Sequence, residues 1–184
     1  IAHVQAKALG TIPGKMILTA HQPAYLPWLG LFHKIALADR FVSYNQVQYQ
    51  PEEWINRNRI KAASGPLWLT VPVQRKGYMG KKIDEIAIFE ENPWARKHWE
   101  SLRGSYAKAP YFKKYADFFE DTYSRQWEML VALNEYMLRW FLDTLGIATA
   151  VDSAADHDFR GQKEELVLDM CCQMGAGVFI FGAQ

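Results

Sequence analysis

The stretch Met16-Ile-Leu-Thr-Ala-His-Gln-Pro-Ala-Tyr-Leu-Pro-Trp-Leu-Gly-Leu-Phe-His-Lys34 decides the fold. The run from Met16 to Ala20 reads as a short buried strand. It stops at His21 and Gln22, and Pro23 and Pro27 then bar regular structure across the turn. From Trp28 to Asp39 the period becomes helical, with Leu29, Phe32, Ile35, Ala36 and Ala38 on the apolar side. Strand, Pro-punctuated turn and helix in that order place polar side chains at the carboxyl end of a strand. That is the ligand-binding edge of an open α/β sheet.

Working outward, Phe41–Tyr49 alternates as a second strand. Residues 50–66 read as a polar connection, Trp68–Val73 as a strand and Ile83–Phe89 as another. Helical patterns follow at about 93–105, 110–121 and 124–145, with Ser124 the expected N-cap of the third and Gly146 its terminating glycine. Ile147–Val151 (strand), Gln162–Met174 (helix) and Val178–Phe181 (strand) complete a βαβ unit. The expected class is α/β, a mostly parallel open sheet with a helical insert or cap at about 93–145.

Composition narrows the function classes. The 184 residues carry a formal net charge of +1, 49% hydrophobic and 22% charged residues, which gives no basis for a nucleic-acid or anionic-membrane partner. No apolar run approaches the roughly 20 residues of a membrane span. Cys171 and Cys172 are adjacent, a poor geometry for a mutual disulfide, and sit in a helical pattern; reduced thiols and a cytoplasmic location are expected. No Cys/His spacing suits zinc, so no metal is expected, and no cofactor motif is present. Residues 1–15 are expected to be a tag or extension before Met16, and the chain is expected to be truncated after the last strand.

Several groups carry candidate chemistry. His21 can exchange a proton near neutral pH and Gln22 can orient a carbonyl; the plainer alternative is a histidine that caps the turn. In Trp54-Ile-Asn-Arg-Asn-Arg-Ile-Lys61, Arg57, Arg59 and Lys61 recur at spacing two. If extended, the segment shows these cations on one face and Asn56, Asn58 and Ile60 on the other. Such a row can hold a phosphate or carboxylate, whereas a solvated loop would do nothing. Tyr106 and Lys108 lie at a junction between helices, and Lys163 precedes a helix start after Gly161, a weak anion signal.

Taken together these residues resemble the WbqC-like family of bacterial proteins. The resemblance rests on six motifs in order: His21-Gln-Pro-Ala-Tyr-Leu-Pro-Trp-Leu-Gly-Leu-Phe32; Ala38-Asp-Arg-Phe-Val42 with Val47-Gln-Tyr49; Trp54 with Asn56-Arg-Asn-Arg-Ile-Lys61; Trp68-Leu-Thr-Val-Pro-Val73; Ser105-Tyr-Ala-Lys-Ala-Pro-Tyr-Phe112; and Gly161-Gln-Lys163 followed by Met174-Gly-Ala176. The family implies a bacterial protein of surface-polysaccharide (O-antigen) or secondary-metabolite biosynthesis, with transfer of a glycyl or similar aminoacyl group as its suggested role. Position 21 is often not His in the family, which shifts weight to Gln22, Tyr25, Asn58 and Lys61. A looser similarity, of architecture only, is to the opening of pantothenate synthetase, with His33 as the helix-start histidine.

The expected function is therefore an acyl or aminoacyl transferase. His21, Gln22 and Asn58 are the catalytic candidates, with Asn58 helping to polarise the carbonyl. Tyr25, Lys34, Trp54, Arg57, Arg59, Lys61, Tyr106, Lys108 and Lys163 are the substrate-binding candidates. The expected donor is a small-molecule or carrier-bound acyl group and the expected acceptor a nucleotide-linked sugar. An ATP-dependent adenylate-forming amide ligase and a non-catalytic scaffold are the alternatives.

Overall fold

The computed structural model describes residues 14–74, 76–89 and 93–182. Along the chain run β1 (Met16–His21), α1 (Leu29–Ala36), β2 (Arg40–Ser43), β3 (Arg57–Ala62), β4 (Gly65–Thr70), α2 (Trp94–Tyr106), α3 (Phe112–Ser124), α4 (Leu130–Leu145), β5 (Ala150–Ser153), α5 (Glu164–Met174) and β6 (Ala176–Ile180). They divide into two units. The first holds residues 1–23, 27–47 and 139–184; the second holds 24–26 and 48–138. The expected extension at 1–15 lies, apart from Gly14 and Lys15, outside the described residues.

The first unit is a four-stranded sheet in the order β5-β2-β1-β6. All three pairings are parallel. Successive residues Leu18 and Thr19, and Phe41 and Val42, are all buried, as a parallel sheet covered on both faces requires. On one face Leu18 and Val42 pack with Leu166 and Met170 of α5, and Met174 and Phe179 flank this cluster. The crossover β1-α1-β2 steps one way along the sheet and β5-α5-β6 the other. Right-handed crossovers then put α1 and α5 on opposite faces. Arg40 clamps β2 to β5 through two hydrogen bonds to the Asp152 carboxylate, 2.9 Å from Nε and 2.5 Å from a terminal guanidinium nitrogen.

The second unit is built on an antiparallel hairpin, β3 with β4, together with α2 and α3, which pack on each other, and the first part of α4. Three differences from the sequence expectations fall here. Residues 57–62, expected within a polar connection, form a full strand, because the face they bury is made of Asn58 and Ile60 rather than an apolar row. Ile83–Phe89 is not a strand. It opens with a 3₁₀ turn over Ile83–Glu85, in which the Glu85 carboxylate accepts the Lys82 N–H at 2.7 Å, and only single bridges follow at Ala87 and Ile88. Ser124 ends α3 instead of capping α4; its hydroxyl donates to the Asp121 carbonyl, and the chain stays extended enough for Met129 to bridge Ala87 before α4 begins. The end of α4 is as expected. Gly146 takes φ +68°, and the Ile147 N–H closes on the Leu142 carbonyl at 2.9 Å.

Candidate functional site

In the first unit, the carboxyl edge of the sheet is a polar row. The register aligns His21 of β1 with Ser43 of β2, and Ser43 with Ser153 of β5. Neighbouring strands lie about 4.8 Å apart, so the three side chains form one line across the edge. Asn45 extends the line: its Nδ2 donates to the Ser153 hydroxyl at 3.0 Å, while its Oδ1 is buried with no hydrogen-bond partner among the described residues. An orphaned buried acceptor costs stability and calls for a functional explanation. The sheet changes direction between β1 and β6, since β2 lies on one side of β1 and β6 on the other. His21 therefore sits at the topological switch point, where open α/β sheets bind ligands.

The electrostatics of His21 favour a neutral base. Its Nδ1 lies 2.8 Å from the Gln22 carbonyl oxygen, so Nδ1 carries the hydrogen and Nε2 is left as the acceptor. Burial pushes its pKa down, and the nearby Lys34 ammonium pushes the same way, against the raising effect of the Gln22 bond. The ring stands edge-on to Trp28 at 5.3 Å. Trp28 folds back over Gly30, where an added Cβ would meet the indole at 3.1 Å. Lys34 is buried, donates to the Ala20 carbonyl at 2.9 Å and has its own pKa lowered by burial. Its ammonium thus braces the carboxyl end of β1. Lys163 is exposed immediately before α5 at φ +51°, and His33 is exposed in the last turn of α1.

In the second unit the turn residues Ala24–Leu26 are held from several sides. The Tyr25 N–H donates to the Trp54 carbonyl at 3.1 Å. The Asn58 amide donates to the Leu26 carbonyl at 2.6 Å and, at 3.4 Å, to that of Tyr25; its oxygen accepts the Arg59 N–H. In this conformation no amide hydrogen of Asn58 is left to polarise a substrate carbonyl. Tyr25 is fully buried, with its hydroxyl between His98 Nδ1, at 2.8 Å, and the Tyr123 hydroxyl. Burial drives His98 down to about 4, with a backbone bond at Thr70 acting in the other direction. Tyr25 and Tyr123 are both raised, mainly by burial. This is an uncharged hydrogen-bonded core.

The solvent face of β3 carries Arg57, Arg59 and Lys61, with Asn58 and Ile60 buried behind them. Arg59 pairs directly with Trp68 of β4. The Arg57 guanidinium lies 4.6 Å from the Trp68 ring centre; that of Arg59 is 5.2 Å from Trp68 and 5.8 Å from Trp54. The Lys61 N–H donates to the Tyr106 hydroxyl at 3.0 Å, which ties the end of α2 to β3, and Lys108 is exposed in the turn that follows. The structure thus gathers Trp54, Arg57, Arg59, Lys61 and Tyr106 around one hairpin. Sequence reasoning missed Ser43, Asn45 and Ser153. The polar end Ser43-Tyr-Asn-Gln46 was the signal for the first two, but only the register shows that Ser43 and Ser153 align with His21.

A parallel α/β sheet with a polar carboxyl edge, accompanied by an antiparallel hairpin with a cationic face, defines a mixed α/β protein. The chain belongs to the WbqC-like protein family, which it matches over residues 22–184. It is 37% identical over 162 residues to the uncharacterized protein Rv1507c of Mycobacterium tuberculosis, covering 88% of this chain and 70% of that protein. No solved structure matches the chain. Among the described residues no helix is long and apolar enough to cross a membrane, and no cluster of His, Cys, Asp or Glu could hold a metal ion.

Proposed function

We propose that the chain is an acyl or aminoacyl transferase of surface-polysaccharide or secondary-metabolite biosynthesis, with His21 as its base. The carrying observation is the neutral imidazole at the sheet's carboxyl edge, its Nδ1 donating and its Nε2 left to accept. The amine nitrogen of the acceptor attacks the carbonyl carbon of a thioester or ester donor. The C–S or C–O bond breaks, and His21 Nε2 takes the amine proton and returns it to the departing thiolate or alkoxide. The Gln22 side chain orients the donor carbonyl, and the orphaned Asn45 Oδ1 accepts a hydrogen bond from the amine. Asn58 acts by holding the turn. Arg57, Arg59 and Lys61, on the hairpin, form an anion-binding face for the phosphate of a nucleotide sugar or a carrier.

The test pairs a thermal-shift screen with product detection. Stabilisation by glycyl or acyl thioesters or nucleotide amino-sugars, and amide formation without ATP, are expected. His21→Asn keeps a donor toward the Gln22 carbonyl but removes Nε2, and should lower the rate by about 10²-fold or more. Product that requires ATP and magnesium would overturn this reading in favour of an adenylate-forming ligase. A wild-type rate in the variant would remove His21 from the chemistry.

A further inference from the structure

We propose that the outer face of the β3–β4 hairpin is a nucleoside diphosphate site, with the base stacked on the indoles of Trp54 and Trp68 and the diphosphate held by Arg57, Arg59 and Lys61. It rests on the reading of this face as the anion-binding one, and not on the transfer chemistry. Three observations of this unit carry it.

The first is unneutralised charge. Among the described residues none of the three cations is paired with a carboxylate: the salt bridges involve Arg40, Arg96, Arg125 and Arg160. Arg57 donates one terminal N–H to the Glu52 carbonyl, a neutral partner, and its Nε is buried with no hydrogen-bond partner among the described residues. With only a neutral carbonyl as its hydrogen-bond acceptor, the Arg57 guanidinium adds an uncompensated positive charge to those of Arg59 and Lys61, which phosphate oxygens can neutralise.

The second is the aromatic surface. Trp54 and Trp68 are 37% and 45% exposed, with ring centres 5.6 Å apart and planes tilted by 30°. Phosphate alone needs only the cations. Two half-exposed indoles at the same spot suit a ligand with a flat π-face beside its negative charge, which is the chemistry of a nucleotide.

The third is scale. Three cations on six residues of strand, in a chain of net charge +1, match one diphosphate and not the many phosphates of a nucleic-acid strand. Arg57 and Arg59 already lie against Trp68, so their planar faces are ordered before a ligand arrives.

The experiment is a titration of the whole chain with UDP, ADP, coenzyme A, inorganic pyrophosphate and an eight-nucleotide single-stranded DNA, followed by tryptophan fluorescence and calorimetry. Binding of UDP or ADP at least tenfold tighter than pyrophosphate is expected, with quenching of tryptophan emission. Preference between UDP and coenzyme A then separates a nucleotide sugar from a coenzyme A thioester as the source. Arg59→Ala, at an exposed position, should weaken nucleotide binding by tenfold or more with an unchanged melting temperature. Trp68→Leu should abolish the preference over pyrophosphate, and Trp68→Phe should retain it. Equal binding of pyrophosphate and nucleotide overturns the base-stacking site while leaving the anion-binding face intact. Binding of neither overturns both, and tighter binding of the oligonucleotide than of any mononucleotide replaces the inference with a single-strand surface.

Discussion

Asn58 holds Leu26 in a left-handed backbone: its Nδ2 donates to the Leu26 carbonyl at 2.6 Å, and Leu26 takes φ +46°. A non-glycine residue pays roughly 1 kcal/mol or more for that conformation and keeps it only where its surroundings enforce it. Asn58→Ala should therefore destabilise the fold by about 1–3 kcal/mol, because the buried Tyr25 carbonyl and the part-buried Leu26 carbonyl lose their donor. Leu26→Gly relaxes the strain, so the penalty of Asn58→Ala should shrink in that background. Urea unfolding of the four proteins of this cycle measures the coupling, and additive penalties would show that Asn58 does not enforce the turn.

Acid should destabilise the protein through His98. Its folded pKa is about 4, below the ordinary 6.5, so the unfolded chain takes up the proton first as pH falls. Stability from this group is complete above pH 6.5 and declines as pH drops toward 4. By pH 5 the loss is about 2 kcal/mol. Urea midpoints at pH 7 and pH 5 should differ accordingly in the native chain. His98→Gln should start from a lower stability at pH 7 but show a flatter profile between the two.

Lys34 should tune His21. The Lys34 ammonium is one of the two causes that lower the His21 pKa, burial being the larger. Lys34→Met removes the charge, so the His21 resonance in an NMR titration should move up toward 6.5 without reaching it. Any amide-forming rate should rise with pH through the native His21 pKa, and the same limb should shift to higher pH in the variant. An unmoved titration would mean that burial alone sets the proton affinity of His21.

The parallel sheet was legible because its strands are buried on both faces and read as apolar runs flanked by helices, as at Met16–Ala20 and around Phe41. The hairpin was harder to see. β3 buries Asn58 and Ile60, so hydrophobic alternation, the usual strand signal, is half absent; only the period-two spacing of Arg57, Arg59 and Lys61 betrayed its extended form. Ile83, Ile86 and Ile88 are all buried, and that apolar density read as a strand although a 3₁₀ turn spaces the first two. The cationic face was visible residue by residue, as was His21. The row of His21 with Ser43 and Ser153 was not, because it depends on strand order, and strand order places β5 beside β2 across more than 100 residues of chain.

Asn45 gives the sharpest separation of stability from function. Asn45→Ala loses one neutral hydrogen bond, from Nδ2 to the Ser153 hydroxyl, worth about 0.5–1.5 kcal/mol. It also removes the buried, unpartnered Oδ1, whose desolvation costs about 1–3 kcal/mol. The second effect matches or exceeds the first, so the melting temperature should stay level or rise. A side chain kept at such a cost belongs to function more readily than to folding. If Oδ1 orients the attacking amine, the same variant should raise KM for the amine acceptor about tenfold, the worth of one hydrogen bond of about 1.4 kcal/mol, while KM for the acyl donor stays put. A large drop in melting temperature with unchanged KM would instead make Asn45 a structural link between β2 and β5.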